Sequence, residues 1–213
     1  VLMLGHFTND MFAGVLAILY PVMKLRFGLS NAEIGLVTLA YTTASSLTQP
    51  VFGHLADRHG RRWYVPLAIL WGTCFVALYG FAPTFAAFVL FAGLAGMASG
   101  AYHPLGATNV AAVSDDAGRN GAMSIYTVAG TCGYAIGPLV ATLLLALFGP
   151  RGTGLLLLPG LLVSGLLLAQ MRVVETARRA RAAVASAASN ARPAWGPLLR
   201  IVGVTMLRSW VFL

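Results

Sequence analysis

Charge is scarce in this sequence. Only 9% of the 213 residues are Asp, Glu, Lys or Arg, against about 25% in an average soluble domain. Residues 63–102 and 120–150 hold none at all. A water-soluble domain has no use for such stretches. Runs of roughly 20 apolar residues are what helices need to cross a hydrocarbon core about 30 Å thick. Cysteine is scarce too: Cys74 and Cys132 both fall inside apolar stretches. With no CxxC or Cys/His spacing, no metal site and no cofactor are expected. They read as small buried residues. A cleaved signal peptide is also unexpected. No basic flank precedes the first span, and His6, Asn9 and Asp10 interrupt what would be a purely apolar core.

What is present is 58% hydrophobic and carries a net charge of +8. That charge does not point to nucleic acid, because the basic residues sit in short loops between apolar spans. Such a distribution fits the positive-inside rule and attraction to anionic headgroups. Six apolar spans are read at about 1–27, 32–56, 63–82, 85–113, 119–148 and 152–171, with a shorter seventh from Leu198 to Leu213. They must be helical, since unpaired backbone in lipid is too costly for anything but helices or closed barrels. Barrel strands would alternate apolar and polar residues, and these runs do not. The expected fold class is therefore an all-α integral membrane bundle.

Orientation follows from Lys and Arg. Loops after spans two, four and six carry Arg58, Arg61, Arg62, Arg119, Arg172, Arg178, Arg179, Arg181, Arg192 and Arg200. Loops after spans one, three and five carry only Lys24, Arg26 and Arg151. The imbalance predicts a cytoplasmic amino terminus in a cell membrane. Residues 172–197, rich in Ala, Arg and Ser, read as a basic cytoplasmic linker with a surface helix over 175–188. The organisation is thus a six-helix domain over 1–171, a linker over 172–197, and the start of a seventh span over 198–213. With no initiator Met and an ending inside an apolar stretch, truncation at both ends is expected.

Between the second and third spans runs Gly53-His54-Leu55-Ala56-Asp57-Arg58-His59-Gly60-Arg61-Arg62. Physically this is a tight basic turn at the headgroups. The pattern, in that place, closely resembles the signature loop of the major facilitator superfamily. The resemblance implies half of a twelve-helix transporter, built as a 3+3 inverted repeat, with the missing carboxy-terminal half as partner. It also implies that Gly53, Asp57, Arg58, Gly60, Arg61 and Arg62 stabilise one conformation by docking onto that half. The opening His6-Phe7-Thr8-Asn9-Asp10 and the stretch Tyr102-His103-Pro104-Leu105-Gly106-Ala107 resemble transporters of the fosmidomycin-resistance type. Gly133-Tyr134-Ala135-Ile136-Gly137-Pro138 resembles the core of the antiporter motif. The paired glycines that usually follow are replaced by Ala141-Thr142, and the arginine that many drug–proton exchangers carry in span four is absent.

Asp10 is the one acidic residue deep in a span, about 13 Å from Val1 at 1.5 Å per residue. A carboxylate there must face a wet cavity, pair with a partner, or hold a proton. His6, four residues earlier, shares its face, and the two form a candidate proton relay. The alternative is that Asp10 braces a neighbouring helix. His103 precedes Pro104, whose ring frees backbone carbonyls. The resemblance implies that spans one and four border one central cavity, which would make His103 the third member of the relay; the alternative is a buried histidine satisfied by such a carbonyl. Asn9, Tyr41, Gln49, Tyr102, Asn109 and Tyr126 are candidate cavity residues, or else ordinary helix–helix hydrogen-bonding groups. Gly96/Gly100 and Gly133/Gly137 have GxxxG spacing, which lets helices pack closely. Pro50 and Pro138, at similar places in each three-helix half, fit an inverted repeat.

An enzyme would need a clustered nucleophile, metal ligands or paired carboxylates, and a channel would need polar rings. Neither pattern is present. The expected function is proton-coupled export of a small organic molecule by alternating access, with proton-coupled uptake of a metabolite as the alternative. Protons, a small-molecule substrate and the lipid bilayer are the expected partners. If the narrower resemblance holds, a phosphonate antibiotic or hydrophobic drugs are substrate candidates. The fragment alone is not expected to transport, since the cavity needs both walls.

Overall fold

The computed structural model describes residues 1–59, 61–188, 196, 199, 200, 203 and 204. Gly60 and nearly all of the expected seventh span lie outside the described residues. Six long helices follow one another: α1 (Leu2–Phe27), α2 (Asn31–His59), α3 (Tyr64–Ala77), α4 (Phe85–Val113), α5 (Arg119–Phe148) and α6 (Leu157–Ala188). Short 3-10 turns, Tyr79–Phe81 and Pro150–Leu156, follow α3 and precede α6. No strand occurs among the described residues. Contacts divide the chain into Val1–Arg179, which holds the bundle, and Ala180–Leu213.

Local chemistry sets the helix ends. α1 stops at Gly28, whose φ of 65° is the left-handed conformation that favours glycine. Ser30 and Glu33 close the start of α2 reciprocally. The Ser30 N–H donates to Glu33 Oε2 at 2.7 Å and the Glu33 N–H to Ser30 Oγ at 3.2 Å. Thr84 caps α4 by accepting from the Ala87 N–H at 3.2 Å. At the same end of the bundle, the Thr153 hydroxyl accepts from the Gly80 N–H at 3.1 Å and donates to the Ala77 carbonyl at 2.9 Å. This ties the turn after α3 to the turn before α6.

The structure departs from the sequence reading in two places. α2 has the length of a span, 29 residues, but falls outside the helices that are apolar enough to cross by composition. Its hydroxyls turn inward onto their own helix, Thr42 to the Thr38 carbonyl at 2.9 Å and Thr48 to the Ala44 carbonyl at 2.7 Å. Such bonds let a polar helix keep its backbone satisfied. The second departure is at residue 172, where the expected linker begins. α6 runs unbroken past that point to Ala188, so the proposed surface helix continues the span.

The most extensive interfaces join α1 to α5 and α2 to α4. Exchanging the first three helices with the last three turns one pair into the other, as an inverted 3+3 repeat requires. Each interface is built on a GxxxG pair. A Cβ at Gly133 or Gly137 of α5 would strike the carbonyl of Phe7 or Met11 on α1. One at Gly96 or Gly100 of α4 would strike that of Tyr41 or Ser45 on α2. Only glycine lets the backbones come so near. Many large apolar side chains of α5 and α6 remain exposed, among them Leu139, Leu143, Leu158 and Leu162. A hydrocarbon surrounding accounts for that.

Candidate functional site

α1 also packs directly against α4, and three titratable side chains converge there. His6 Nε2 lies 3.3 Å from Asp10 Oδ2, and His103 Nε2 lies 3.4 Å from Asp10 Oδ1. The two imidazoles meet edge to face, their centroids 5.2 Å apart. His6 and Asp10 face together because they are one helical turn apart. His103 arrives from α4, 93 positions later in the chain.

Each member has a fixed second contact. His6 Nδ1 is 2.7 Å from the Tyr126 carbonyl, and the ring stacks on the Tyr126 phenol at 4.0 Å. His103 Nδ1 is 2.7 Å from the Ser99 carbonyl, one turn back on α4. The Asn9 amide donates to Asp10 Oδ1 at 2.8 Å and to Ser99 Oγ at 3.4 Å. A carbonyl oxygen can only accept, so each Nδ1 carries the ring hydrogen. Each neutral ring then presents the lone pair of Nε2 to a carboxylate oxygen. Acceptor facing acceptor at this distance is repulsive, and a proton or another cation between them would relieve it.

Gly130 on α5 closes the site from behind. A Cβ there would lie 2.6 Å from Asp10 Oδ2 and 2.7 Å from His6 Nε2. The front is open. His6, Asp10 and His103 line a cavity of about 530 Å³ together with Gln49, Pro104, Ala107, Met123, Tyr126, Thr127 and Thr131. A second cleft, of about 300 Å³ among α2, α3 and α4, has apolar walls including Phe52, Trp63 and Trp71.

Of the cavity candidates named from sequence, Gln49 and Tyr126 line this space. The others stand behind its wall. Asn9 is buried and braces Asp10, while Tyr102 is buried with its hydroxyl donating to the Leu2 carbonyl at 2.7 Å. Asn109 is buried and satisfies its own helix through the Leu105 carbonyl at 2.6 Å. Tyr41 is half-buried against the apolar core to which α1 and α4 contribute most. Sequence reasoning missed Ser99, Thr127, Thr131 and Gly130. Thr127 and Thr131 are four apart on α5, a spacing that marks one helix face, but nothing in the sequence says which face is wet.

The expected loop over 53–62 is shorter in the structure, because α2 runs on to His59 and carries Gly53, Asp57 and Arg58 in its last turns. Arg58 and Arg61 are exposed, Arg62 is half-buried, and Gly53 packs near Pro104 of α4. The side chain of Asp57, like Gly60, lies outside what is described. Gly133, Gly137 and Pro138 lie against α1, with Pro138 beside Gly14.

Comparison with known proteins gives a consistent picture. The family model of the Major Facilitator Superfamily matches residues 2–213. The Fosmidomycin resistance protein of Escherichia coli is 34% identical over 160 residues, covering 75% of this chain and 39% of the relative. A Cupriavidus pinatubonensis protein named "Probable 4-methylmuconolactone transporter" is 33% identical over 143 residues, covering 67% of this chain and 32% of that one. Among solved structures, a bacterial homolog of the human lysosomal transporter Spinster, in an inward-facing and occupied conformation, superposes with a TM-score of 0.72. It is 20% identical, and the match covers 78% of this chain and 42% of that one. The chain therefore spans about two fifths of the length of the fosmidomycin-resistance relative and of that structure.

Proposed function

This chain belongs to the major facilitator superfamily of membrane transporters, and from that premise we propose that it forms one wall of a proton-coupled exporter of small organic molecules. The observation that carries the reading is the pair of Nε2···carboxylate contacts at Asp10. With both Nδ1 hydrogens committed to carbonyls, the three groups hold exchangeable protons only between Nε2 and the carboxylate. One proton makes the cluster neutral and two make it cationic. Loading and unloading it from the open cavity is the elementary act that proton coupling needs. Rocking of this wall against the other half of the protein would expose the cluster to each side in turn.

The remaining parts fit the same scheme. The amino terminus is cytoplasmic, so the loop Gly53–Arg62 faces the cytoplasm of a cell or inner membrane. There Asp57, Arg58, Arg61 and Arg62 lock one conformation against the other half. Gly133, Gly137 and Pro138 form an antiporter-like packing seam. Likeness to the fosmidomycin-resistance protein favours export and a phosphonate or hydrophobic drug as cargo. The relative named for 4-methylmuconolactone supports a small organic metabolite as cargo, and the second reading is proton-coupled uptake of such a metabolite by the same fold.

The test uses the full-length protein in inverted vesicles under an imposed proton gradient. Drugs including fosmidomycin should collapse the gradient with the native protein and not with Asp10→Asn. Equal collapse in both would leave Asp10 a structural brace. No response to any drug, with a response to lactones or other metabolites instead, would favour the second reading.

A further inference from the structure

The atoms that face Asp10 also have the shape of a metal site, and this does not depend on proton coupling. We propose that His6 Nε2, His103 Nε2 and the Asp10 carboxylate form a three-ligand site for a divalent transition metal of the Zn²⁺ class.

One ligand atom from each residue lies within 4.8 Å of the others. In a tetrahedron with metal–nitrogen bonds near 2.05 Å, neighbouring ligand atoms are about 3.3 Å apart. The separations here are 3.3 Å from His6 Nε2 to Asp10 Oδ2 and 3.4 Å from His103 Nε2 to Asp10 Oδ1, one to each carboxylate oxygen, so a metal held by a single oxygen requires one imidazole to move inward. Imidazole and carboxylate are the donor set that suits Zn²⁺ and its neighbours, whereas an all-oxygen set would suit Mg²⁺ or Ca²⁺.

The outer contacts strengthen the case. A metal-bound histidine nearly always donates its other ring N–H to a carbonyl or carboxylate, which fixes the tautomer and aims the lone pair. Both histidines do so, to the Tyr126 and Ser99 carbonyls at 2.7 Å each. The carboxylate is oriented in turn by the Asn9 amide at 2.8 Å. Gly130 closes the back of the cluster, so the fourth coordination position faces the cavity. A water or an oxyanion would complete the tetrahedron there. A divalent cation also relieves the repulsion between the lone pairs and the carboxylate, as a proton would.

The experiment is equilibrium binding of Zn²⁺ to the full-length protein, purified in detergent without a histidine tag, with no gradient and no substrate. Visible absorption of the Co²⁺ form is read in parallel, because tetrahedral Co²⁺ absorbs far more strongly than octahedral. The native protein is expected to bind Zn²⁺ and to give the intense Co²⁺ bands. His103→Gln and Asp10→Asn each remove a direct ligand and should lose one bound metal, or weaken it by more than the roughly 10- to 100-fold that loss of an outer contact costs. His54→Ala and His59→Ala, which change histidines in the last turns of α2, should not. His103→Cys keeps a ligand and should add a thiolate-to-cobalt charge-transfer band, showing that the position itself meets the metal. Absence of Zn²⁺ binding in the native protein would overturn the proposal. So would binding unchanged by both His103→Gln and Asp10→Asn, or a cysteine variant that binds without the new band. Each result is independent of whether Asp10→Asn alters drug-induced proton flux.

Discussion

His6 is held twice by Tyr126: its Nδ1 hydrogen goes to the Tyr126 carbonyl at 2.7 Å, and its ring lies on the Tyr126 phenol at 4.0 Å and 23°. The backbone contact fixes the tautomer and the stack fixes the ring plane. Together they point Nε2 at Asp10. Because only the stack depends on the side chain, the two contacts can be separated. Tyr126→Phe should leave thermal stability in detergent nearly unchanged. Tyr126→Ala should lower it by about 3–5 kcal/mol, the usual range for removing a buried aromatic ring. About 0.5–1.5 kcal/mol of that loss belongs to the aromatic pair itself. A phenylalanine variant as unstable as the alanine variant would show that the hydroxyl, not the stack, matters.

Gly130 leaves room for the cluster. A methyl group at Gly130→Ala would sit 2.6 Å from Asp10 Oδ2 and 2.7 Å from two atoms of the His6 ring. The side chains must move apart, at a cost of about 1–3 kcal/mol for overpacking. The expected outcome is a folded protein with impaired drug-dependent proton flux, larger in effect than Ala at a site without neighbours. Normal flux in vesicles would show that the cluster tolerates displacement.

The α1–α5 seam should be intolerant of side-chain bulk. Gly137→Val places atoms against the Met11 carbonyl and Gly14, where backbone cannot yield as a side chain can. Loss of the folded state on detergent extraction is expected. Gly165→Ala on α6 meets nothing within 4 Å and should be neutral or stabilising by up to about 1 kcal/mol, from helix propensity alone. Thermal melts of the two variants side by side decide it. Equal tolerance would contradict the seam.

Thr153 closes the turn between α3 and α6 by serving two backbone groups. Thr153→Val keeps the shape but strands the buried Gly80 N–H and the Ala77 carbonyl. Each unsatisfied group costs about 1–3 kcal/mol. Thr153→Ser keeps the hydroxyl and should recover most of the loss. A valine variant as stable as the native protein would mean that water or lipid headgroups reach the turn.

Much of the bundle was legible because the membrane imposes it. The first, second, fourth and fifth spans, read from apolar runs, coincide with α1, α2, α4 and α5 to within a few residues. The break after Ala77 and the 3-10 entry to α6 were not read. Both depend on tertiary ties through Thr153 rather than on hydropathy. The i,i+4 pairing of His6 and Asp10 could be read directly, as helical geometry alone places them together. The addition of His103 was an expectation drawn from resemblance, and the residues that orient the cluster, Ser99 and Gly130, had no signal in the sequence.

By itself, then, the sequence determined that these helices lie in lipid, which of their ends are basic, and that one carboxylate is buried among them. Those follow from solvation, since charge and unpaired backbone are excluded from hydrocarbon whatever their neighbours. It did not determine which polar groups meet the cavity and which stand behind it. Tyr102, Asn109 and Asn9 looked no different from Gln49 and Tyr126 in the chain. Helix rotation sorted them, and rotation is set by the glycine seams that bring α5 against α1 and α4 against α2. A contact between residues 6, 10 and 103 exists only once α1 and α4 have packed together.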